Sequence, residues 1–223
     1  MTLTISSADY DLLCQKCAQS QRHNLNIEEF EECWGRPESL GQTGFTRQIK
    51  LMSGIELEIY DWKCDRDLIV DIPVHQHEIQ LLILTSGCLT YNEVYPTMQS
   101  KRSYLSGSGI SPAYHIKYSQ SEHFKGINIH IEPEVFRNFI NELNCNNSAF
   151  TKLFLKLDEC KKAFFPKVTS KIRALVWQIV NTPYRGMTKK LYFQAKVLEL
   201  LAMQLDPVMT ELDSLHTKPT LKP

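Results

Sequence analysis

His75-Gln76-His77 sets two imidazoles two residues apart, on one face of an extended backbone. His115 and His123 flank a later strand boundary, and His130 lies in the strand that follows. Two histidines from one strand and a third from a later one are a workable coordination set for zinc or iron, so His75, His77 and His115 are the candidate metal ligands. The plainer reading needs no metal: histidines at the rim of a cavity are solvated or hydrogen-bond a guest. Aromatic residues that could wall such a cavity are Tyr60, Trp62, Tyr91, Tyr95, Tyr104, Tyr114, Tyr118 and Phe124, although aromatics in strands also serve as core. Small-molecule pockets are mostly apolar with a few placed polar groups. Arg102 or Lys117 would neutralise an anionic guest, and each has a plainer use as a surface charge. The candidate effector-binding set is Tyr60, Trp62, His75, His77, Tyr95, Arg102, His115 and His130. No catalytic residue and no cofactor is called for.

The elements that must hold these residues change period part-way along the chain. From Phe45 to about Glu132 apolar residues come in short alternating runs broken by Gly, Pro and Asn; from Pro133 onward they recur at helical spacing. A first helix is expected from Ser7 to about Gln21, with Ser6 or Ser7 as its N-cap. Residues 22–44 read as a connecting segment. Eight short strands follow, at 45–52, 55–62, 68–74, 80–85, 89–94, 102–105, 113–119 and 124–131, with turn residues between them. In the second of these Ile55, Leu57 and Ile59 oppose Glu56, Glu58, Tyr60 and Trp62. In the last, Phe124, Gly126, Asn128 and His130 oppose Ile127, Ile129 and Ile131. Such a run of strands predicts a sandwich, jelly roll or small barrel.

Helices are expected at 135–143, at 150–157, at 167–180 and from Thr188 to Leu205, where Pro207 stops the last one. Leu191, Ala195, Leu198, Ala202 and Leu205 are spaced 4, 3, 4, 3 and form an apolar seam. It suits either an antiparallel hairpin with the 167–180 helix or a homodimer. The organisation expected is 1–132 as an N-terminal helix plus effector-binding barrel, 133–207 as a helical association segment, and 208–223 as a linker.

Composition narrows the function. Lys+Arg and Asp+Glu both number 25, a formal net charge of zero, which does not suit a segment gripping DNA by itself. No apolar run approaches the roughly 18 residues of a membrane span. The first residues lack the pattern of a secretory signal. Seven scattered cysteines read as reduced thiols of a cytoplasmic protein, and Cys14-x-x-Cys17 has no second such pair to complete a zinc site.

Two resemblances sharpen this. His75, His77, Gly87, Gly109, Pro112 and His115 resemble the cupin pattern, which implies an eight-stranded barrel. The chain departs from the metal-binding version: Leu81 and Leu82 stand where a glutamate ligand is expected. The stretch Thr182–Leu201 (TPYRGMTKKLYFQAKVLELL) resembles the helix ahead of the DNA-binding module in AraC/XylS-type regulators, most closely the PchR-like branch linked to siderophore uptake. That resemblance covers nearly the whole chain. It implies an α+β fold, a cupin-like β-barrel or jelly roll followed by a C-terminal helical dimerisation segment. It also implies a small-molecule effector, a ferric siderophore or similar, and DNA contact only through a helix-turn-helix domain missing from this chain. The expected protein is a ligand-sensing and dimerisation region and not an enzyme. The alternative is a metal-dependent cupin enzyme, a dioxygenase or isomerase, using His75, His77 and His115.

Overall fold

Alternation builds the central sheet of the computed structural model, which describes residues 2–21, 29–142 and 154–216. Strand β4 (Ile55–Cys64) turns Leu57 and Ile59 to one side and Glu58, Tyr60 and Trp62 to the other. Strand β13 (His123–Ile131) does the same with Ile127, Ile129 and Ile131 against Phe124, Asn128 and His130. Strand β7 (Ile79–Ser86) sets Ile79, Leu81 and Ile83 against Gln80, Leu82 and Leu84. The three pair antiparallel in a register that puts Ile127 opposite both Ile59 and Ile83. Like side chains therefore sum into two faces of opposite character.

Strands β3 (Gln42–Met52) and β2 (Glu31–Gly35) extend this sheet on one side. Strands β10 (Tyr104–Ser106) and β15 (Ala163–Phe164) extend it on the other, giving seven strands. The β3–β4 hairpin turns at Gly54, whose φ is +74°; a Cβ there would lie 2.5 Å from Val135 Cγ2. A five-stranded sheet holds β1 (Leu3–Ser6), β5 (Leu68–Ile72), β12 (Tyr114–Tyr118), β8 (Leu89–Tyr91) and β9 (Tyr95–Met98). A three-stranded one joins β14 (Leu155–Cys160), β11 (Ser108–Ser111) and β6 (His75–His77). Among the described residues the sheets remain separate instead of closing into one barrel.

Four helices are described: α1 (Ser7–Gln21), α2 (Pro133–Glu142), α3 (Ser170–Val180) and α4 (Gly186–His216). Ser6 Oγ caps α1 by accepting from Asp9 N at 3.2 Å, and Thr169 Oγ1 caps α3 by accepting from Ile172 N at 3.3 Å. The isoleucine and leucine face of the seven-stranded sheet packs on Phe136 of α2, on Ile172, Val176 and Ile179 of α3, and on Phe193, Val197 and Leu200 of α4. Each such residue contributes about 1.5–3 kcal/mol by leaving water. The architecture is thus α+β in three layers: a five-stranded sheet, a seven-stranded sheet, then helices.

Several expectations change. Fifteen strands are described, not eight, in part because β1, β6, β11 and β15 are two to four residues long, too short to show a period. The 22–44 connector holds β2 and the start of β3; residues 22–28 lie outside the described residues. Of the helix expected at 150–157, residues 150–153 are outside them too, and Leu155–Cys160 is strand β14. It pairs with β11 instead of forming a helix. The strand expected at 89–94 is instead two, β8 and β9, and Pro96 sits within β9, an edge strand where no backbone donor is required. Pro207 does not stop α4, which runs on to His216. Burial of Gln204 and Val208 holds the helix on both sides of the proline against a penalty of about 3 kcal/mol.

Candidate functional site

The polar and aromatic face of the seven-stranded sheet does not close on the five-stranded sheet. Between them lies a cavity of about 880 Å³, within the range of ligand pockets, with α1 contributing Tyr10, Asp11 and Cys14 to its lining. Alternation selects the lining: Glu58, Tyr60 and Trp62 from β4, Gln80, Leu82 and Leu84 from β7, Phe124, Asn128 and His130 from β13. The opposite sheet supplies Tyr91, Tyr95, Tyr114 and Tyr118.

Much of the wall is an aromatic lattice. Trp62 lies 4.6 Å from Phe124 and 5.1 Å from Tyr118 between ring centroids; Tyr95 lies 5.5 Å from Tyr114 and 5.7 Å from Tyr104. Beside it runs a hydrogen-bonded polar chain. Gln80 Nε2 donates to Asn128 Oδ1 at 2.9 Å, and Asn128 Nδ2 donates to Glu58 Oε2 at 3.1 Å and to Tyr60 Oη at 3.0 Å. The Tyr60 hydroxyl donates to Glu58. Burial, then the Glu58 charge, raises the Tyr60 phenol well above its ordinary range, so it remains a neutral donor. His130 Nδ1 stands 3.8 Å from Glu78, which occupies the break between β6 and β7.

The structure brings Tyr60, Trp62, His75, His77, Tyr95 and His130 together on this cavity. The His75 and His77 rings are 5.4 Å apart. Arg102 and His115 lie outside the lining. Arg102 is exposed and donates to the Phe165 carbonyl at 3.1 Å, and His115 pairs with Asp71 across β12 and β5. Lys117 pairs with Asp67 at 2.8 Å. His115 is thus separated from His75 and His77, and no group of three or more His, Cys, Asp or Glu among the described residues is placed to hold a metal ion. Cys14 is pushed up to about 12 by burial and then by Asp11, and burial also raises Cys17; a redox or metal-binding pair needs the opposite shift.

Sequence reasoning missed the most unusual group. Arg36, just past β2, is 9% exposed and lines the cavity with Trp34. Its Nη1 donates to Thr46 Oγ1 at 3.1 Å, its Nη2 to Gln42 Oε1 at 3.2 Å and to the Tyr10 hydroxyl. Its guanidinium carbon sits 4.7 Å above the Trp62 ring. Burial lowers its pKa. The visible signal was the alternation Glu32, Trp34, Arg36 within a stretch whose glycines and proline suggested a loop.

A second buried cation lies at the other side of the aromatic lattice. Lys161 Nζ is 5.6 Å from the Tyr95 ring centre and 5.4 Å from that of Tyr104, and burial lowers it to about 7. His77 is pushed down to about 3, first by burial and then by Lys161.

The helical layer divides the α4 residues sharply. Phe193, Val197, Leu200, Leu201, Gln204 and Val208 face the sheet and α3. Leu191, Ala195 and Ala202 are exposed, with Leu198 and Leu205 half-buried. Trp177, Val180, Tyr184 and Met187 add further exposed apolar surface at the α3–α4 corner. Leu191, Ala195 and Ala202 thus stay open on the outer side of α4, while Leu205 packs against the core.

Residues 40–220 match the family described as the regulatory protein PchR N-terminal domain. The chain belongs to that family. It is accordingly a regulatory domain of AraC-type transcription regulators and not an enzyme. Among solved structures, ToxT from Vibrio cholerae, at 1.65 Å, is similar with 12% identity and a TM-score of 0.41, over 68% of this chain. The chain spans 57% of ToxT. No curated protein sequence matches it. No helix among the described residues is long and apolar enough to cross a membrane.

Proposed function

We propose that this PchR-type regulatory domain senses a small molecule in the cavity between its sheets and associates as a homodimer through the outer seam of α4. The observation that carries the proposal is the use of one sheet for two purposes. Its polar and aromatic face lines the cavity, while the alternate residues of the same strands pack against the helices. A guest that shifts β4, β7 or β13 shifts the bed on which α3 and α4 lie. Such a switch is only as strong as the guest's difference in affinity between the two arrangements.

The family's link to siderophore uptake favours a ferric siderophore or a related iron-linked compound. The guest would bring its own iron ligands, so the cavity needs only aromatic walls and placed donors. Residues 1–132 carry most of the sensing lobe, 133–207 the association helices and 208–223 the way toward a DNA-binding domain. In a C2 dimer through α4, paired domains of that kind would be brought to adjacent half-sites. Free thiols suit a cytoplasmic setting.

The test is the melting temperature of the chain against a panel of ferric and iron-free siderophores. A rise that grows with ligand concentration, and only for some chelates, is expected. No shift with any member at millimolar concentration overturns the sensing role.

A further inference from the structure

We infer that the cavity holds the carboxylate end of an aromatic organic acid, received by Arg36 together with the indole N–H groups of Trp34 and Trp62. This rests on the sensing role proposed above and names the chemistry of its guest.

Among the described residues five buried side-chain nitrogens have no acceptor: Lys161 Nζ and Gln204 Nε2, outside the cavity lining, and Arg36 Nε, Trp34 Nε1 and Trp62 Nε1. The last three residues line the same cavity. Register explains their meeting. Trp34 pairs with Thr46, Thr46 with Tyr60, and Gly44 with Trp62, while Arg36 bonds Thr46 and lies over the Trp62 ring. Gly44 is required there: its φ is +114° and a Cβ would lie 2.3 Å from the Asp61 carbonyl oxygen.

Buried donors are normally satisfied, and a buried guanidinium is normally paired with a carboxylate. No Asp or Glu oxygen stands within ion-pair distance of Arg36 among the described residues. Glu58 is the carboxylate whose charge acts on it, and it is held by Asn128 and the Tyr60 hydroxyl. Gln42 and Tyr10 hydrogen-bond each other as well as Arg36, so they keep the guanidinium in place without cancelling its charge. A cluster made only of donors, one of them cationic, selects an anionic acceptor. The planar guanidinium fits a carboxylate, and the surrounding rings fit an aromatic body.

The test is a fluorescence titration with 2-naphthoate and its neutral isostere 2-naphthamide, read through quenching of the cavity tryptophans. The acid is expected to bind at least about tenfold more tightly than the amide, as one charge-assisted contact supplies. Arg36→Met should reduce that preference to about twofold or less, and Arg36→Lys, which retains charge but loses Nε, should retain part of it. Circular dichroism of both variants confirms folding, and the acid–amide preference of the native chain stands as evidence without either. Equal binding of the two probes, or an undiminished preference in folded Arg36→Met, overturns the inference and leaves the sensing role intact. Failure of both probes together with every siderophore overturns the two together.

Discussion

Lys189 Nζ lies 2.6 Å from Glu31 Oε1, and the two side chains are only 14% and 4% exposed. This ion pair ties the first turns of α4 to strand β2, three residues before Trp34 and five before Arg36. Gln194 of α4 donates to the Leu51 carbonyl of β3 at 2.7 Å, and Ser103, beside Tyr104, bonds Gln204. Helix α4 is therefore fastened at several points to strands that wall the cavity.

Lys189→Met removes one fastening while Glu31 keeps Arg47 at 3.1 Å. The expected loss is about 1–3 kcal/mol of stability, the cost of depriving a buried acceptor of one partner. Urea unfolding measures it. Cavity binding should survive with its influence on dimerisation weakened, and an unchanged influence would remove this pair from the linkage.

The two sides of α4 should respond differently to substitution. Leu191→Arg with Leu198→Arg is expected to convert a dimer to a monomer in sedimentation velocity while melting changes little, since Leu191 is 67% exposed. Leu200→Ala, on the inward side, should cost about 2–5 kcal/mol instead. A dimer that survives the double arginine variant moves the interface elsewhere.

Trp62→Phe keeps a ring against Phe124 and Tyr118 but removes the indole donor. Binding of cavity ligands should weaken several-fold with a stability change of about 1 kcal/mol or less. Parallel losses in both would make Trp62 a packing residue only.

Stability should depend on pH through Lys161 and His77. The ordinary lysine value is 10.5, and in the folded chain Lys161 titrates at about 7. Between these values the unfolded chain holds a proton that the folded chain has released, so stability rises with pH across that window. Below about pH 7 the full penalty of the buried ammonium is present. Lys161→Met should thus raise the melting temperature most at about pH 6 and least at about pH 10. His77, lowered from 6.5 to about 3, adds a loss of stability as pH falls between those values. His77→Gln should flatten that acid limb in melting curves recorded across the range.

The amino-acid sequence makes some of this legible and hides the rest for physical reasons. Alternation in 55–62 and 124–131 shows which residues share a face, and so groups Tyr60, Trp62 and His130 from local pattern alone. His75 and His77 follow from their spacing of two. Arg36 stays hidden because β2 is five residues long and owes its place to pairing with β3, a contact across the hairpin that local pattern does not report. Arg102 looks equivalent as a cation. Only tertiary structure separates a guanidinium stacked on Trp62 from one bonded to a loop carbonyl. Pro207 misleads for a related reason: tertiary burial outweighs a local helix breaker.

The central claim, that an occupied cavity is felt by the helical layer, is tested most directly by hydrogen exchange with and without a ferric siderophore that raises the melting temperature. Slowed exchange is expected both in cavity strands β2, β4 and β13 and in α4 between Gly186 and Leu205. Slowing confined to the strands, with α4 unchanged at saturating ligand, would contradict it.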